Sequence, residues 1–399
     1  MFYDATSLMG ESIAMGGPKQ DMHLTQIKRI IEVENGVIAS YPDDFFGYFG
    51  WPTVARMPDG KIVAVASGFR NAHVCPFGRS VFFYSTDQGQ TWSSPRVIQD
   101  SPLDDRDTGI VSCSGDRLLM TWFSTDIRGQ FDKYTKNFEA SRLTRWSDGL
   151  RRITDVNAKK WVGAWCRTSE DAGETWSDPI RVPQTTPHGP IFLREGSLLF
   201  LGKLFEVDMS GYSAGIGDIA AMKSHDFGRS WQPLGTVPFF EGTEQANYHE
   251  AHVAELKTGK LVGLIRLESA REGIDTAELG LERFMQMYTE SKDGGITWTP
   301  AEPMNFHGSP PHLLVHSSGA LVVTYGYRLE PYGIRAMISY DEGTSWEYDY
   351  ILRDDGPDSD LGYPSSVELD DGRIFTAYYQ KPKSLEDKCG FLWSKWKLP

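Results

Sequence analysis

Hydrophobic residues in this chain come in short bursts, not at helical spacing. Six segments share one layout, a short strand, a tight turn and then a strongly apolar strand. They are "WPTVARMPDGKIVAVAS" from Trp51, "DTGIVSCSGDRLLMTWF" from Asp107, "HGPIFLREGSLLFLG" from His188, "EAHVAELKTGKLVGLIR" from Glu250, "PPHLLVHSSGALVVTYGYR" from Pro310 and "YPSSVELDDGRIFTAYY" from Tyr363. Asp-Gly, Ser-Gly-Asp and Lys-Thr-Gly-Lys between apolar runs are hairpin turn chemistry, so each segment predicts a β-hairpin.

A second pattern interleaves with the first. Ser-x-Asp-x-Gly-x-(Ser/Thr)-Trp occurs five times, as "STDQGQTW" (85–92), "SEDAGETW" (169–176), "SHDFGRSW" (224–231), "SKDGGITW" (291–298) and "SYDEGTSW" (339–346). Apolar runs such as "SVFFY" and "IRAMI" precede these boxes, as strands should. Within a box, Ser and Asp oxygens can accept turn N–H bonds, Gly supplies positive φ and Trp is an apolar plug. The boxes lie 84, 55, 67 and 48 residues apart, a spacing that suits the blade of a propeller.

Six hairpins and five boxes predict an all-β chain, a six-bladed β-propeller of four-stranded antiparallel blades whose last blade lacks a box. The early segment "IKRIIEVENGVIAS" is expected to close the ring by adding a strand to the final blade, which removes an exposed edge. No linker or low-complexity tract interrupts the pattern, so residues 1–399 read as one domain. Residues 1–23 form an N-terminal extension, and about 124–160 a basic insertion in the second blade, expected to be a surface excursion.

Composition narrows the function. A net charge of -14 argues against a nucleic-acid partner, which needs clustered Lys and Arg. No run approaches 18 apolar residues, so no membrane span is expected. Cys75, Cys113, Cys166 and Cys389 are scattered, which reads as free buried thiols and neither a zinc site nor a disulfide framework. No signal peptide is visible at the N-terminus. A cytoplasmic location fits, and a secreted or periplasmic chain whose leader had been removed would look the same.

The hairpins also point to where chemistry should lie. Nine residues before the turn Gly stand Trp51, Glu250, Pro310 and Tyr363; eight before it, in the second and third hairpins, stand Asp107 and His188. Equivalent positions on equivalent inner strands converge on the central axis at one mouth. Asp, His, Glu and Tyr in such a ring are unusual for a packed core, because carboxylates are seldom buried without a partner or a task.

Boxes and hairpins together, from about residue 45 to the end, resemble the sialidase superfamily of six-bladed propellers with Asp-box repeats. The resemblance implies a Tyr nucleophile and a Glu that activates it. "GYPSSVELDDG" places Tyr363 at the family's spacing, and "YHEAHVAELKTGKLVGLIR" supplies Glu250 followed by Arg266. A phenol with a pKa near 10 needs such a base, and Tyr nucleophiles stand outside the two-carboxylate rule of glycosidases. Arg70 matches the family's Arg at the end of the first hairpin. Other positions depart from the pattern. Gly50 stands where the first Arg of the carboxylate-gripping triad would fall. His73 and Cys75 occupy the stretch expected to hold the acid/base Asp, and Pro331, between Arg328 and Arg335, takes the place of the third triad Arg.

The resulting expectation is an exo-glycosidase with carbohydrate as its partner and no cofactor or metal. Glu250 deprotonates Tyr363, and Asp107 protonates the leaving oxygen and then activates water. Arg70, Arg106, Arg266, Arg328, His188, His249, Trp51 and His312 are the candidate sugar contacts, with Tyr332 either stacking on sugar or packed in the core. Blander readings stay open: an ion pair between Glu250 and Arg266, a solvated "DDRD" loop around Asp107, and histidines that only hold structure. Two other functions fit the same residues, a glycan-binding propeller without catalysis and a propeller lyase or hydrolase acting on uronate-containing glycans.

Overall fold

A computed structural model describes residues 22–205, 217–268 and 274–399. The expected N-terminal extension over 1–23 therefore lies, but for its last two residues, outside the described residues. Among those described, no helix is long and apolar enough to cross a membrane.

Six antiparallel blades stand in a ring. Their innermost strands are Tyr48–Arg56, Asp104–Ser112, the short pair Gln184–Thr185 and Ile191–Phe192, Tyr248–Glu255, Pro311–Val315 and Gly362–Glu368. Each of the six hairpins read from the sequence supplies the first and second strands of one blade, because its Gly-containing turn reverses the chain in register. The apolar residues of these strands do not form one central core. They fill six wedges between neighbouring blades, such as Phe49, Phe83, Phe375 and Trp393 between the sixth and first.

The N-terminal segment closes the ring as expected, but it serves two blades. Val33–Ala39 adds antiparallel to the C-terminal strand Gly390–Trp396 and completes the sixth blade. His23–Ile30 lies parallel to Ser345–Arg353 and adds a fifth strand to the fifth blade. Both outer edges are thereby covered.

All five boxes join the third and fourth strands of their blades. In the last one, Asp341 accepts the Ser345 N–H and hydroxyl at 2.8 and 2.6 Å, and Ser339 Oγ accepts the Gly343 N–H at 2.8 Å. A methyl group on Gly89, Gly173 or Gly228 would strike Phe375, Phe82 or Leu119, each in the preceding blade. The boxes therefore seal seams at the rim, away from the axis.

The insertion in the second blade is more than a surface excursion. Its helices Phe131–Thr135, Ala140–Leu150 and Asp155–Trp161 interrupt the blade between its second and third strands. Trp146 and Arg142 both bond Asn71 Oδ1, at 2.9 and 2.8 Å, which pins the loop that follows the first blade's second strand.

Candidate active site

Three ring positions share one backbone device. Trp51, Asp107 and Tyr363 have φ of 50°, 51° and 47°, a left-handed conformation that bulky residues rarely adopt. Each sits where two residues of the inner strand oppose one on its neighbour, between Gly50 and Thr53, Arg106 and Gly109, and Gly362 and Ser365. Such bulges re-aim a side chain out of the pleat. In the fourth blade the irregularity covers His249 and Glu250. Four inner strands thus bend alike at the mouth of the ring.

A cavity of about 480 Å³ opens there, large enough for a monosaccharide unit. Glu250, Tyr363, Asp107, Arg106, Arg266, Arg328 and His249 all line it. The Tyr363 phenol donates to Glu250 Oε1 at 2.6 Å, while Arg266 Nη1 lies 2.9 Å from both Glu250 oxygens and 3.0 Å from the phenol oxygen. Arg266 Nη2 also bonds Glu268, which Arg283 holds from its other side at 2.8 Å.

These contacts set the protonation states. Burial works hardest against the Glu250 carboxylate, but the Arg266 guanidinium, His249 and the hydrogen bond from Tyr363 together hold the group down to about 2. Burial lifts the Tyr363 phenol well above its ordinary value, and Glu250 adds to the rise while Arg266 opposes it. Asp107 is pushed up to about 7, by burial first and then by Glu250, against the pull of Arg106. Its Oδ1 is buried without a hydrogen-bond partner among the described residues. The cavity thus sets an ionised Glu250 beside an Asp107 that holds its proton far more readily than an ordinary carboxyl.

Five basic side chains line the cavity, Arg106, Lys203, Arg266, Arg283 and Arg328, against Asp107, Glu250, Glu268 and Asp360. With Asp107 partly neutral, the pocket of this acidic chain is locally cationic. Aromatic faces hold the guanidiniums: Phe284 lies 4.7, 4.5 and 5.1 Å from Arg266, Arg283 and Arg328, and Trp51 lies 4.2 Å from Arg106.

Four expected sugar contacts sit elsewhere. Arg70 is fully buried beneath Trp51 and paired with Asp104 at 2.6 Å, so it faces no substrate in this arrangement. Trp51 is 1% exposed and forms packing under the cavity. His312 stacks on His252 at the axis and His188 meets both edge-on, with ring centroids 4.4 to 5.5 Å apart. His252 and His312 accept backbone N–H bonds at Nδ1, from Leu313 and Ser366, which places their protons on Nε2. Tyr332 packs against the wedge between the fifth and sixth blades. Of the two arginines flanking Pro331, Arg328 reaches the cavity, whereas Arg335 is buried against backbone carbonyls and Asp349.

The sequence pattern overlooked Asp360, Tyr379, Glu268, Arg283 and Lys203, together with Gln130 and Tyr134 of the helical insertion, all of which line the cavity. The run "DDGPDSDLGY" ahead of Tyr363 was the only available signal for Asp360.

A family model described as a BNR repeat-like domain matches residues 143–376, and one for the BNR/Asp-box repeat matches residues 83–94. The chain belongs to the BNR repeat-like family. No curated protein sequence matches this BNR-repeat protein. Among solved structures it is similar to a Dyadobacter fermentans protein of unknown function, at 22% identity and TM-score 0.70, covering 94% of this chain and 100% of that one. It is also similar to the Hadza microbial sialidase Hz136, at 17% identity and TM-score 0.61, covering 91% and 68%. The NanB sialidase of Streptococcus pneumoniae aligns at 14% identity and TM-score 0.60, covering 91% and 70%. At such identities these likenesses establish the sialidase-like propeller fold.

Proposed function

We propose that this BNR-repeat propeller is an exo-acting glycosidase that removes a terminal sugar bearing a carboxylate. The observation that carries the reading is the Tyr363 phenol 2.6 Å from the ionised Glu250 inside a cationic cavity. An anionic sugar would repel a carboxylate nucleophile, whereas a neutral phenol can approach it and become nucleophilic as Glu250 takes its proton. The fold shared with several sialidases agrees with this choice of substrate class.

In the first half of the reaction, Tyr363 Oη bonds to the anomeric carbon while its proton passes to Glu250 Oε1. The glycosidic C–O bond breaks and the leaving oxygen acquires a proton. Water then cleaves the tyrosyl–sugar bond, and Glu250 returns the proton to the phenol. Arg266 gives this couple its control. Its grip makes Glu250 a weak base in the empty site. A substrate carboxylate that engaged Arg266, Arg328 and Arg106 would loosen that grip and raise the basicity of Glu250. Asp107 supplies a carboxyl group able to donate a hydrogen bond or proton to a substrate oxygen.

Aryl glycosides of acidic and neutral sugars provide the test. Wild type should release aglycone from acidic sugars, and Tyr363→Phe and Glu250→Gln should not. Unchanged turnover in both variants would sink the assignment. Saccharide binding without turnover would indicate a lectin-like propeller, and an unsaturated product absorbing in the ultraviolet would indicate a lyase.

A further inference from the structure

A second proton-transfer group faces the same cavity. His73 Nδ1 lies 2.9 Å from Asp360 Oδ1, and Tyr48 donates to the two Asp360 oxygens at 3.1 and 3.2 Å. Nδ1 must therefore carry the proton that Asp360 accepts, leaving Nε2 to act. Among the described residues, nothing hydrogen-bonds Nε2. The imidazole is about half exposed, and it packs edge-on against Trp51 with centroids 4.9 Å apart. Tyr363 packs on the same Trp51, at 6.4 Å. A carboxylate–imidazole pair with a free outer nitrogen, beside a nucleophile–base couple, meets the geometric test for an acid/base group.

The geometry points to His73, oriented by Asp360, as the group that protonates the leaving oxygen and then deprotonates water, in place of Asp107. This rests on the glycosidase reading above. Trp51, Asp107 and Tyr363 occupy equivalent bulges, so Asp107 lies at the level of the nucleophile and, like it, is buried. A leaving group departs toward solvent, and the half-exposed His73, unlike Asp107, reaches solvent at the cavity wall. The loop carrying it is fixed from outside by Trp146 and Arg142 on Asn71.

In the first half-reaction the Nε2–H of the imidazolium passes to the glycosidic oxygen as the C–O bond breaks. In the second, neutral Nε2 takes a proton from the attacking water, which restores the imidazolium. Asp360 is the positioning residue; enclosure by the cavity walls sets the imidazole below its ordinary value, Asp360 favours the cation, and Arg106 and Arg70 oppose it. Activity should accordingly fall as pH rises through a limb below about 6.5.

The experiment compares two acidic-sugar glycosides, one with a dinitrophenyl and one with an alkyl leaving group. His73→Gln should lose about 10²- to 10⁴-fold in kcat/KM on the alkyl glycoside and less than about 10-fold on the dinitrophenyl one. Asp360→Asn should show the same split more weakly and move the alkaline limb to lower pH. Equal losses on both glycosides would overturn the role of His73, as would the split appearing in Asp107→Asn. Absence of wild-type turnover on both would instead overturn the glycosidase reading, and this proposal with it.

Discussion

Arg266 Nη1 stands within 3.0 Å of Tyr363 Oη and 2.9 Å of both Glu250 oxygens, so one cation holds phenol and carboxylate together. Groups coupled in this way act as a unit. Tyr363→Phe and Glu250→Gln should each lower kcat/KM by at least about 10³-fold, and the double variant should be little worse than either single one. Additive losses in steady-state kinetics would show that the two residues act separately.

Asp107 stores a pH-dependent cost. Its folded value near 7 lies above that of an unfolded aspartate, so between about pH 4 and 7 the folded state binds more proton than the unfolded. Stability contributed by this site therefore falls as pH rises through that window, by up to about 4 kcal/mol. Asp107→Asn should melt higher than wild type at pH 8, with the advantage shrinking toward pH 4.5. A melting-temperature difference that does not change with pH would contradict the buried, uncompensated carboxyl.

Glu250 has the opposite sign. Held at about 2, it contributes stability that is present above the unfolded pKa near 4.3 and lost as pH falls through 2. Glu250→Gln should therefore destabilise most at neutral pH and least in acid, in denaturant titrations across that range.

The boxes should matter for stability and not for catalysis. Asp341 accepts two bonds from Ser345, at the rim and far from Tyr363. Asp341→Ala should cost about 1–3 kcal/mol in unfolding while leaving kcat/KM per folded molecule unchanged. A catalytic defect at full folding would contradict the placement of the boxes.

Ring closure depends on residues far from the C-terminus in sequence. Deleting residues 1–40 removes Val33–Ala39 and bares the edge of Gly390–Trp396. That deletion should yield aggregated protein by size-exclusion chromatography, because an unpaired edge recruits other strands. Deleting residues 1–31 removes the extra strand of the fifth blade and should leave a folded protein with a lower melting temperature.

The convergence of three predicted positions on one cavity was legible before the structure. Counting back from turn glycines located Tyr363, Glu250 and Asp107 in one cavity, because equivalent hairpins place equivalent residues at one end of the ring. The same count placed Trp51 and His188 at the mouth, where the structure has them as packing. Position along a strand does not say which way a bulge turns a side chain. Arg70 and Arg106 looked alike as candidates, yet the fully buried Asp104 grips Arg70 at 2.6 Å and meets Arg106 only at 3.8 Å, and Arg106 lines the cavity while Arg70 does not.

By itself, the sequence determined the blade count, the hairpins, the boxes and the role of the N-terminal segment in closing the ring. These are properties of local periodicity and turn chemistry, complete within a few tens of residues. Tertiary structure alone decided which charges share the cavity. His73 meets Asp360 across 287 positions and Tyr363 meets Glu250 across 113. Such meetings exist only once six blades close on one axis, and the charges brought together there then push the two buried carboxyls in opposite directions, Glu250 down and Asp107 up.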